Sequence, residues 1–219
     1  MIGNLTLARP WLMLDLPAPC RVLSWAINRP GFVETQRIVW REVRNADLPR
    51  DLDVNRWLDG ALKTENSTSA VAFLTSRDIR AYHDTTVTIE NASVRCIATV
   101  GLSNAERVGT RLDRSAKDWG TINIAVVTNQ PITDGARIEA LSLATQARTV
   151  AVIETGLDLP TGRASGTGTD CIAVAAPAGD QCYAGMHTPL GEAVGRAVMQ
   201  AVSAGATEWM ETVRREGEI

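Results

Sequence analysis

The alternation of apolar and polar positions predicts two β-hairpins in the first half of the chain. Residues 21–28 and 32–43 are strand-like and are joined by the turn signal Arg-Pro-Gly at 29–31, so they are predicted to form a long hairpin. Residues 87–90 and 94–101 form a second candidate pair, because the polar sequence between them is typical of a turn. The first half is therefore predicted to be mainly strand.

Helical and strand-like periodicities follow one another in the rest of the chain. Residues 51–62 have roughly helical apolar spacing, and 70–76 are predicted to form a strand. The β-branched, mostly apolar stretch 121–128 is typical of a central strand covered on both faces. A helix is then predicted from Thr133 or Asp134 to near Gly156. Its predicted apolar stripe consists of Ile138, Leu141, Ala144, Ala147, Val150 and Ala151.

The C-terminal part is predicted to hold one more strand and one more helix. The strand is CIAVAA at 171–176, and Thr188 with Pro189 forms a good N-cap and first residue for the helix. Leu190, Val194, Ala197, Val198 and Ala201 are its predicted inner face. Strands and helices do not alternate strictly, which favours an α+β fold: a single domain over 1–219 with a layered, mixed, largely antiparallel sheet covered by helices.

Composition narrows the class of partner. The 22 basic and 25 acidic residues are mixed along the chain and give a net charge of -3, so we expect neither a nucleic-acid nor a membrane partner. No stretch approaches about 18 apolar residues, and the start lacks the pattern of a signal peptide. The four cysteines form no CxxC pair, as expected of free thiols in a cytoplasmic protein. A small-molecule partner is the expectation.

The segment 163–174, RASGTGTDCIAV, raises the question of what its glycines do. A dinucleotide site needs glycines after a strand and at a helix start, whereas these precede a strand, so nucleotide binding is disfavoured. Gly166 and Gly168 are compatible with a turn that needs positive φ. Alternatively, Thr167, Thr169 and Asp170 belong to a binding site where a loop meets a strand.

Several motifs together resemble the adenosylcobinamide amidohydrolase (CbiZ) family. They are TVGLSNAERVG at 99–109, GTINI at 120–124 with TN at 128–129, DGA at 134–136, GTGTD at 166–170 and GMHTPLGE at 185–192 followed by Gly195. Their order and spacing are similar to the family's over 70–203. Trp25 and Gln146 depart from the family pattern, in which we expect a small residue and a glutamate, respectively.

The resemblance implies an enzyme of cobamide salvage. Such proteins hydrolyse the amide that joins the aminopropanol arm to the corrin ring of adenosylcobinamide, and they release adenosylcobyric acid. The corrinoid is then the substrate, and no cofactor is expected. The alternative is a corrinoid-binding protein without catalysis, although neither histidine lies in a DxHxxG motif that would ligate cobalt.

Amide hydrolysis suggests roles for residues in the two strongest motifs. His187 is the candidate that activates water or protonates the leaving amine, with Asp170 orienting its imidazole and Glu192 as the substitute acid or base. Backbone N–H groups of the GTGT turn at 166–169 are a candidate oxyanion nest. Simpler roles stay open, because Asp170 can accept backbone N–H groups and Glu192 suits a helix N-terminus.

Other polar residues are candidates for substrate contacts. His83, Asn104, Asn123 and Asn129 can hydrogen-bond the amide-rich rim of a corrin, in addition to Gly166, Thr167, Gly168 and Thr169. Cys171 and Thr169 are alternative covalent nucleophiles, but direct attack by water is preferred. The two histidines are about 100 positions apart in no zinc-ligand pattern, so no metal is expected. Gly191 and Gly195 suggest close helix packing, and a homo-oligomer contact is an alternative.

Overall fold

The chain forms the predicted α+β fold, a mixed and largely antiparallel eight-stranded sheet with three α-helices. This computed structural model describes residues 2–44, 47–49, 51–113 and 120–214. The strands are β1 Asn4–Ala8, β2 Trp11–Ser24, β3 Gly31–Glu42, β4 Val71–Thr75, β5 Tyr82–Ile89, β6 Ala92–Val100, β7 Ala105–Glu106, β8 Ile122–Thr128, β9 Asp158–Leu159, β10 Gly162–Arg163, β11 Gly166–Thr167 and β12 Cys171–Ala176. The helices are α1 Val54–Thr64, α2 Asp134–Glu154 and α3 Pro189–Trp209, and a π-helical turn, Met210–Arg214, follows α3.

Strand β8 is central, as predicted. The sheet order is β4-β3-β2-β12-β8-β6-β5, with β1 paired to β2 outside this path. The pairs β12–β8 and β3–β4 are parallel, and the others in the sheet are antiparallel. Both predicted hairpins are present, but both begin earlier than expected: β2 runs from Trp11 to Ser24 and β5 starts at Tyr82. Because β5 starts at Tyr82, His83 and Asp84 lie in this strand.

Strand β2 bends and folds the sheet over itself. Its register with β3 shifts between Asp15 and Cys20, where Pro17 and Pro19 lack the N–H groups that a regular ladder needs. The first half of β2, with β3 and β4, thereby faces β12, β8 and β6. Core residues from both halves fill the space between them, for example Leu14, Trp40, Phe73, Val127 and Ala173.

Helices cover both outer faces. Leu58 and Leu62 of α1 pack with Trp11, Val39 and Ala72 on the outer face of the β2–β3–β4 half. Helices α2 and α3 cover the other half in one large core cluster with β6, β8 and β12. The order of layers is therefore helix, sheet, sheet and helix.

The predicted apolar stripe of α2 is wrong in part. Ile138 and Val150 are exposed, with 54% and 41% of their surface accessible. The buried face instead consists of Ala136, Arg137, Ala140, Leu143, Ala144, Ala147, Ala151 and Val152. Small side chains allow α2 to approach α3 and the sheet closely, so packing selects the alanines and turns the larger residues outward. The inner face of α3 is buried as predicted.

The half of the sheet formed by β12, β8, β6 and β5 has two ends that matter for function. At one end, β5, β8 and β12 begin and β6 ends; we call this end the Asp170 edge, because Asp170 directly precedes β12. At the opposite end, β8 and β12 end and β6 begins; we call this end the His187 edge, because the segment with His187 follows β12 there. The seven residues of β8 separate the two edges by about 20 Å. Helix α3 begins beside the second edge, where Pro189 lines a groove with Asn91, and ends at the first.

Arg137 anchors the start of α2 to the end of β12. Its guanidinium is fully buried, ion-pairs with Asp134 at 2.7 Å and donates to the carbonyl of Ala176 at 3.3 Å. Burial lowers the pKa of Arg137 from its ordinary value, and the Asp134 carboxylate opposes this effect. The residue therefore supplies donors to carbonyls that no water reaches.

We expect Arg137→Met to lower the free energy of unfolding by about 2 kcal/mol, because the buried Ala176 carbonyl loses its side-chain donor. Urea denaturation followed by circular dichroism measures this change. Arg80→Met is the control, since it removes an exposed guanidinium that pairs with Asp78. Equal midpoints for the two variants would contradict the anchoring role of Arg137.

Candidate functional site

The predicted site residues do not form one cluster, because they are divided between the two edges. His83, Asn104, Asn123 and the segment 166–170 lie at the Asp170 edge. His187 and Glu192 lie beside the His187 edge with α3's first turn, and Asn129 follows the end of β8 there. The predicted contact between Asp170 and the imidazole of His187 is therefore wrong.

Asp170 is the partner of Arg148 from α2. The carboxylate Oδ2 lies 2.5 Å from Arg148 Nη1, and the two side chains are 6% and 13% exposed. It also accepts the backbone N–H groups of Thr167 at 3.0 Å and Ile122 at 3.2 Å, and the Thr167 hydroxyl. Burial raises the pKa of Asp170 above its usual value, while Arg148 and the Thr167 donors oppose this effect. Asp170 therefore links α2, the start of β8 and residues 166–170, which we call the glycine segment.

The glycines at 166 and 168 do not have the predicted role in a positive-φ turn. Neither has a positive φ. A Cβ at Gly166 would overlap Arg148 Nη1 and lie 2.6 Å from Asp170 Oδ2, so this glycine leaves room for the ion pair. Nothing lies within 4 Å of a Cβ at Gly168, and the structure does not explain that glycine. The Thr167 N–H is bonded to Asp170, so it does not serve the predicted oxyanion nest.

Several polar side-chain atoms of the described residues at the Asp170 edge are buried without a hydrogen-bond partner; they include the Nε atoms of Arg77 and Arg148 and two oxygen atoms. Asn104 donates through Nδ2 to Thr169 Oγ1 at 3.2 Å, but its Oδ1 has no hydrogen bond. The Thr99 hydroxyl on β6 is also buried and unpaired. Asn123, by contrast, donates to the Leu74 carbonyl at 2.7 Å and so ties β8 to β4. Buried polar groups normally have partners, so the unpaired Asn104 oxygen is an exception.

His83 has a carboxylate partner that the sequence did not indicate. Its Nε2 lies 2.9 Å from Glu208 Oε2 at the end of α3, and Arg77 donates to the other oxygen of Glu208 at 2.9 Å. A Cβ at Gly205 would lie 3.0 Å from His83 Cδ2 and 2.7 Å from Val100 Cγ2. The imidazole is 23% exposed and is oriented by a carboxylate, as in many acid-base residues.

The residues predicted at the His187 edge have simpler environments. His187 is exposed in the turn before α3, and Glu192 forms an exposed ion pair with Arg196 at 2.6 Å. Asn129 accepts the Ser93 N–H and donates to the Asn91 carbonyl, which secures the turn between β5 and β6. Gly191 is closely packed, as predicted, but its partner is the preceding turn and not another helix or strand, because its Cβ would overlap the Gly185 carbonyl.

A groove of about 310 Å³ opens beside these residues at the His187 edge. Its lining includes Tyr183 and Thr188 together with Gln130 and Asn91. A second groove, of about 580 Å³, lies between β1 and β5 and contains the ion pair of Asp84 and Arg95. Both grooves are shallow and open to solvent, so neither alone identifies the site of chemistry.

Cys171 is poorly suited to be a nucleophile. Its side chain lies in the core between the sheet halves, and its Sγ is 3.7 Å from Ser24 Oγ. Burial raises the pKa of Cys171 to about 11, so the reactive thiolate is scarce at neutral pH.

Thr169, the other candidate nucleophile, donates its hydroxyl to the Gly120 carbonyl at 3.0 Å, which occupies the proton that a base would have to remove.

Sequence reasoning missed Arg148 and Glu208, which are the charged partners of Asp170 and His83. Arg148 comes directly after Ala147 and one turn after Ala144, two small residues of the buried face of α2. A cation next to this stripe of small residues was the signal in the sequence for a buried ion pair. Gln146, which replaces the family's expected glutamate, is exposed and donates to Ser142 Oγ at 3.4 Å. Its position does not place it in the Asp170 network.

The described residues also bear on metal binding and membrane insertion. No group of three or more histidine, cysteine, aspartate or glutamate side chains in that part of the chain is arranged to hold a metal ion. Within the same residues, no helix is both long enough and apolar enough to span a membrane.

We expect Arg148→Met and Asp170→Asn each to lower the free energy of unfolding by about 3 kcal/mol, because each leaves a buried partner uncompensated. The double variant should lose less than the sum, with a coupling energy of at least about 1 kcal/mol. Denaturant titrations of the four proteins complete the cycle. Strict additivity would show that the two side chains do not stabilise each other.

Comparisons with known proteins find a partial sequence relative and several distant structural neighbours, two of which are given below. A segment of 90 residues is 40% identical to the uncharacterized protein MJ1613 of Methanocaldococcus jannaschii, and it covers 39% of this chain and 35% of that protein. The structure is similar to the PH0078 protein from Pyrococcus horikoshii OT3, with a TM-score of 0.49 and 13% identity over 99% of this chain and 88% of that one. A Burkholderia sp. beta-aminopeptidase gives a TM-score of 0.47 and 13% identity over 90% and 77%.

The whole described chain matches one family model. That model is described as adenosylcobinamide amidohydrolase, and it matches residues 2–214. The match includes the first hairpin and α1, which lie outside the region 70–203 where the motifs resemble the family. The chain therefore belongs to the adenosylcobinamide amidohydrolase family.

Proposed function

We propose that the protein hydrolyses the amide that links the aminopropanol arm to the corrin ring of adenosylcobinamide. The products are adenosylcobyric acid and aminopropanol, and the reaction serves cobamide salvage. The single observation that carries this proposal is the family match over residues 2–214. No finding favours the alternative of a corrinoid-binding protein without catalysis.

The chemistry requires a residue that moves protons. Water adds its oxygen to the amide carbon, the carbon–nitrogen bond breaks, and the amine leaves with an additional proton. His83 and His187 are the two histidines of the chain. His83 is supported by its contact with Glu208, since a carboxylate fixes the orientation of the imidazole ring.

We place the reaction at the Asp170 edge. His83 is there the proton-transfer group, and Glu208 with Arg77 is the pair that positions it. The unpaired Asn104 oxygen lies at the same edge and can accept an N–H group of the substrate. In this assignment, Asp170 supports the glycine segment through Arg148 and does not contact the reacting amide. His187 and Glu192 are the competing assignment from the sequence motifs.

Purified protein should convert adenosylcobinamide to adenosylcobyric acid and free aminopropanol. Mass spectrometry of the corrinoid fraction measures the loss of the arm, and adenosylcobinamide incubated without protein is the control. The amine should appear in equal amount. Binding with an unchanged ligand would overturn hydrolysis and support the corrinoid-binding alternative.

We expect His83→Ala to lower kcat by about 100-fold or more, because it removes the proton-transfer group. Glu208→Gln should lower kcat with little change in KM, since the carboxylate acts by positioning the imidazole. Glu211→Gln is the matched control, because it makes the same chemical change at an exposed site three residues further on. Initial rates over a range of substrate concentrations separate kcat from KM.

The result at His187 decides between the two edges. Loss of turnover in His187→Ala, together with near wild-type turnover in His83→Ala, would place the reaction at the His187 edge. Thermal melting of each variant shows whether its fold is retained.

A further inference from the structure

Three large apolar side chains are exposed on the hairpin between β2 and β3. Trp25, Ile27 and Phe32 have 45%, 47% and 37% of their surface accessible. We call these three residues the hairpin patch. Helix α2 packs on β12. The hairpin lies beside this helix, and the ion pair of Arg21 and Asp134 joins it to the start of α2. Exposed apolar groups close together on one hairpin are typical of a binding surface.

The hairpin patch is held in place by hydrogen bonds. The indole N–H of Trp25 donates to the Asp170 carbonyl at 2.7 Å, so the exposed ring is fixed against the start of β12. At the hairpin tip, Asn28 donates to the Ala70 carbonyl and accepts the Ala72 N–H. An exposed ring that is already ordered loses little freedom when a ligand covers it.

The segment 169–170 connects the hairpin patch to the unpaired Asn104 oxygen. Thr169 Oγ1 accepts the Asn104 side chain, and the next residue, Asp170, accepts the Trp25 indole through its carbonyl. The side chain of Asn104 therefore contacts Thr169, and Trp25 of the hairpin patch contacts the next residue, Asp170. A ligand with a broad apolar face and N–H donors at its rim is suited to contact both the hairpin patch and the Asn104 oxygen.

A corrin has both properties. Its macrocycle is wide and largely apolar above and below, and primary amides surround its rim. An alkylcobalt(III) corrin also bears net positive charge, which is attracted to the π face of an indole. His83 lies three strand spacings from β12, about 14 Å away, so an arm that extends from the ring can reach it.

We propose that the corrin ring of the substrate binds on the hairpin patch, with Trp25 as the main contact and Asn104 Oδ1 as the acceptor for a rim amide. This inference rests on the proposed function and adds the location of the ring. It makes Trp25 a substrate-binding residue at a position where the resemblance led us to expect a small side chain.

The test uses adenosylcobyric acid, which keeps the ring and lacks the scissile arm, so binding is measured without turnover. Isothermal titration calorimetry should show that Trp25→Ala and Phe32→Ala each raise Kd by about tenfold or more, with partial recovery in Trp25→Phe. Asn104→Ala should raise Kd as well. The matched control is Leu7→Ala, which truncates an apolar residue of similar exposure, 42%, on β1.

Tyr183→Ala examines the opposite edge, where Tyr183 is 70% exposed beside the 310 Å³ groove. Loss of affinity there, with affinity retained in the hairpin variants, would overturn the inference and place the ring at the His187 edge. If wild-type protein cleaves adenosylcobinamide while all hairpin variants bind normally, the location is wrong and the proposed function stands. If wild-type protein neither cleaves nor binds a corrinoid, both are wrong.

Discussion

The ion pair between Arg148 and Asp170 is the interaction on which the Asp170 edge depends. It joins α2 to the loop before β12, and the same carboxylate holds the N–H of Ile122 at the start of β8. Gly166 has no side chain because that space is occupied by the guanidinium. Through its carbonyl, Asp170 also orders Trp25. Through its carboxylate and its backbone carbonyl, this one buried aspartate thus organises a helix, two strands, the segment 166–170 and an exposed aromatic ring.

The length of the sheet imposes the second constraint. Residues at opposite ends of β8 are about 20 Å apart, so motifs near each other in sequence can lie at different edges. The segments 166–170 and 185–192 are separated in sequence only by residues 171–184, yet β12 at the start of that stretch carries the chain from one edge to the other. Helix α3 then returns across the sheet and brings Glu208 to His83.

Local signals predicted the elements well, whereas contacts across the fold were not readable from the sequence. The Arg-Pro-Gly turn, the Thr188 cap and the apolar run of β8 are decided by neighbouring residues, and the structure confirms each of them. The buried face of α2 was predicted wrongly, because close packing favours alanine over larger apolar residues. The partners of Asp170 and His83 come from residues 22 and 125 positions away, and local pattern does not specify such pairs.

The size of the proposed substrate fits the width of the sheet at the Asp170 edge. A small amide needs one compact pocket, but adenosylcobinamide combines a wide ring with an arm that ends far from the ring's centre. Five strands, β2, β12, β8, β6 and β5, lie side by side along this edge and span about 19 Å. Ring binding near Trp25 and proton transfer near His83 can therefore occupy different strands of one rigid sheet, so that binding energy from the ring positions the arm.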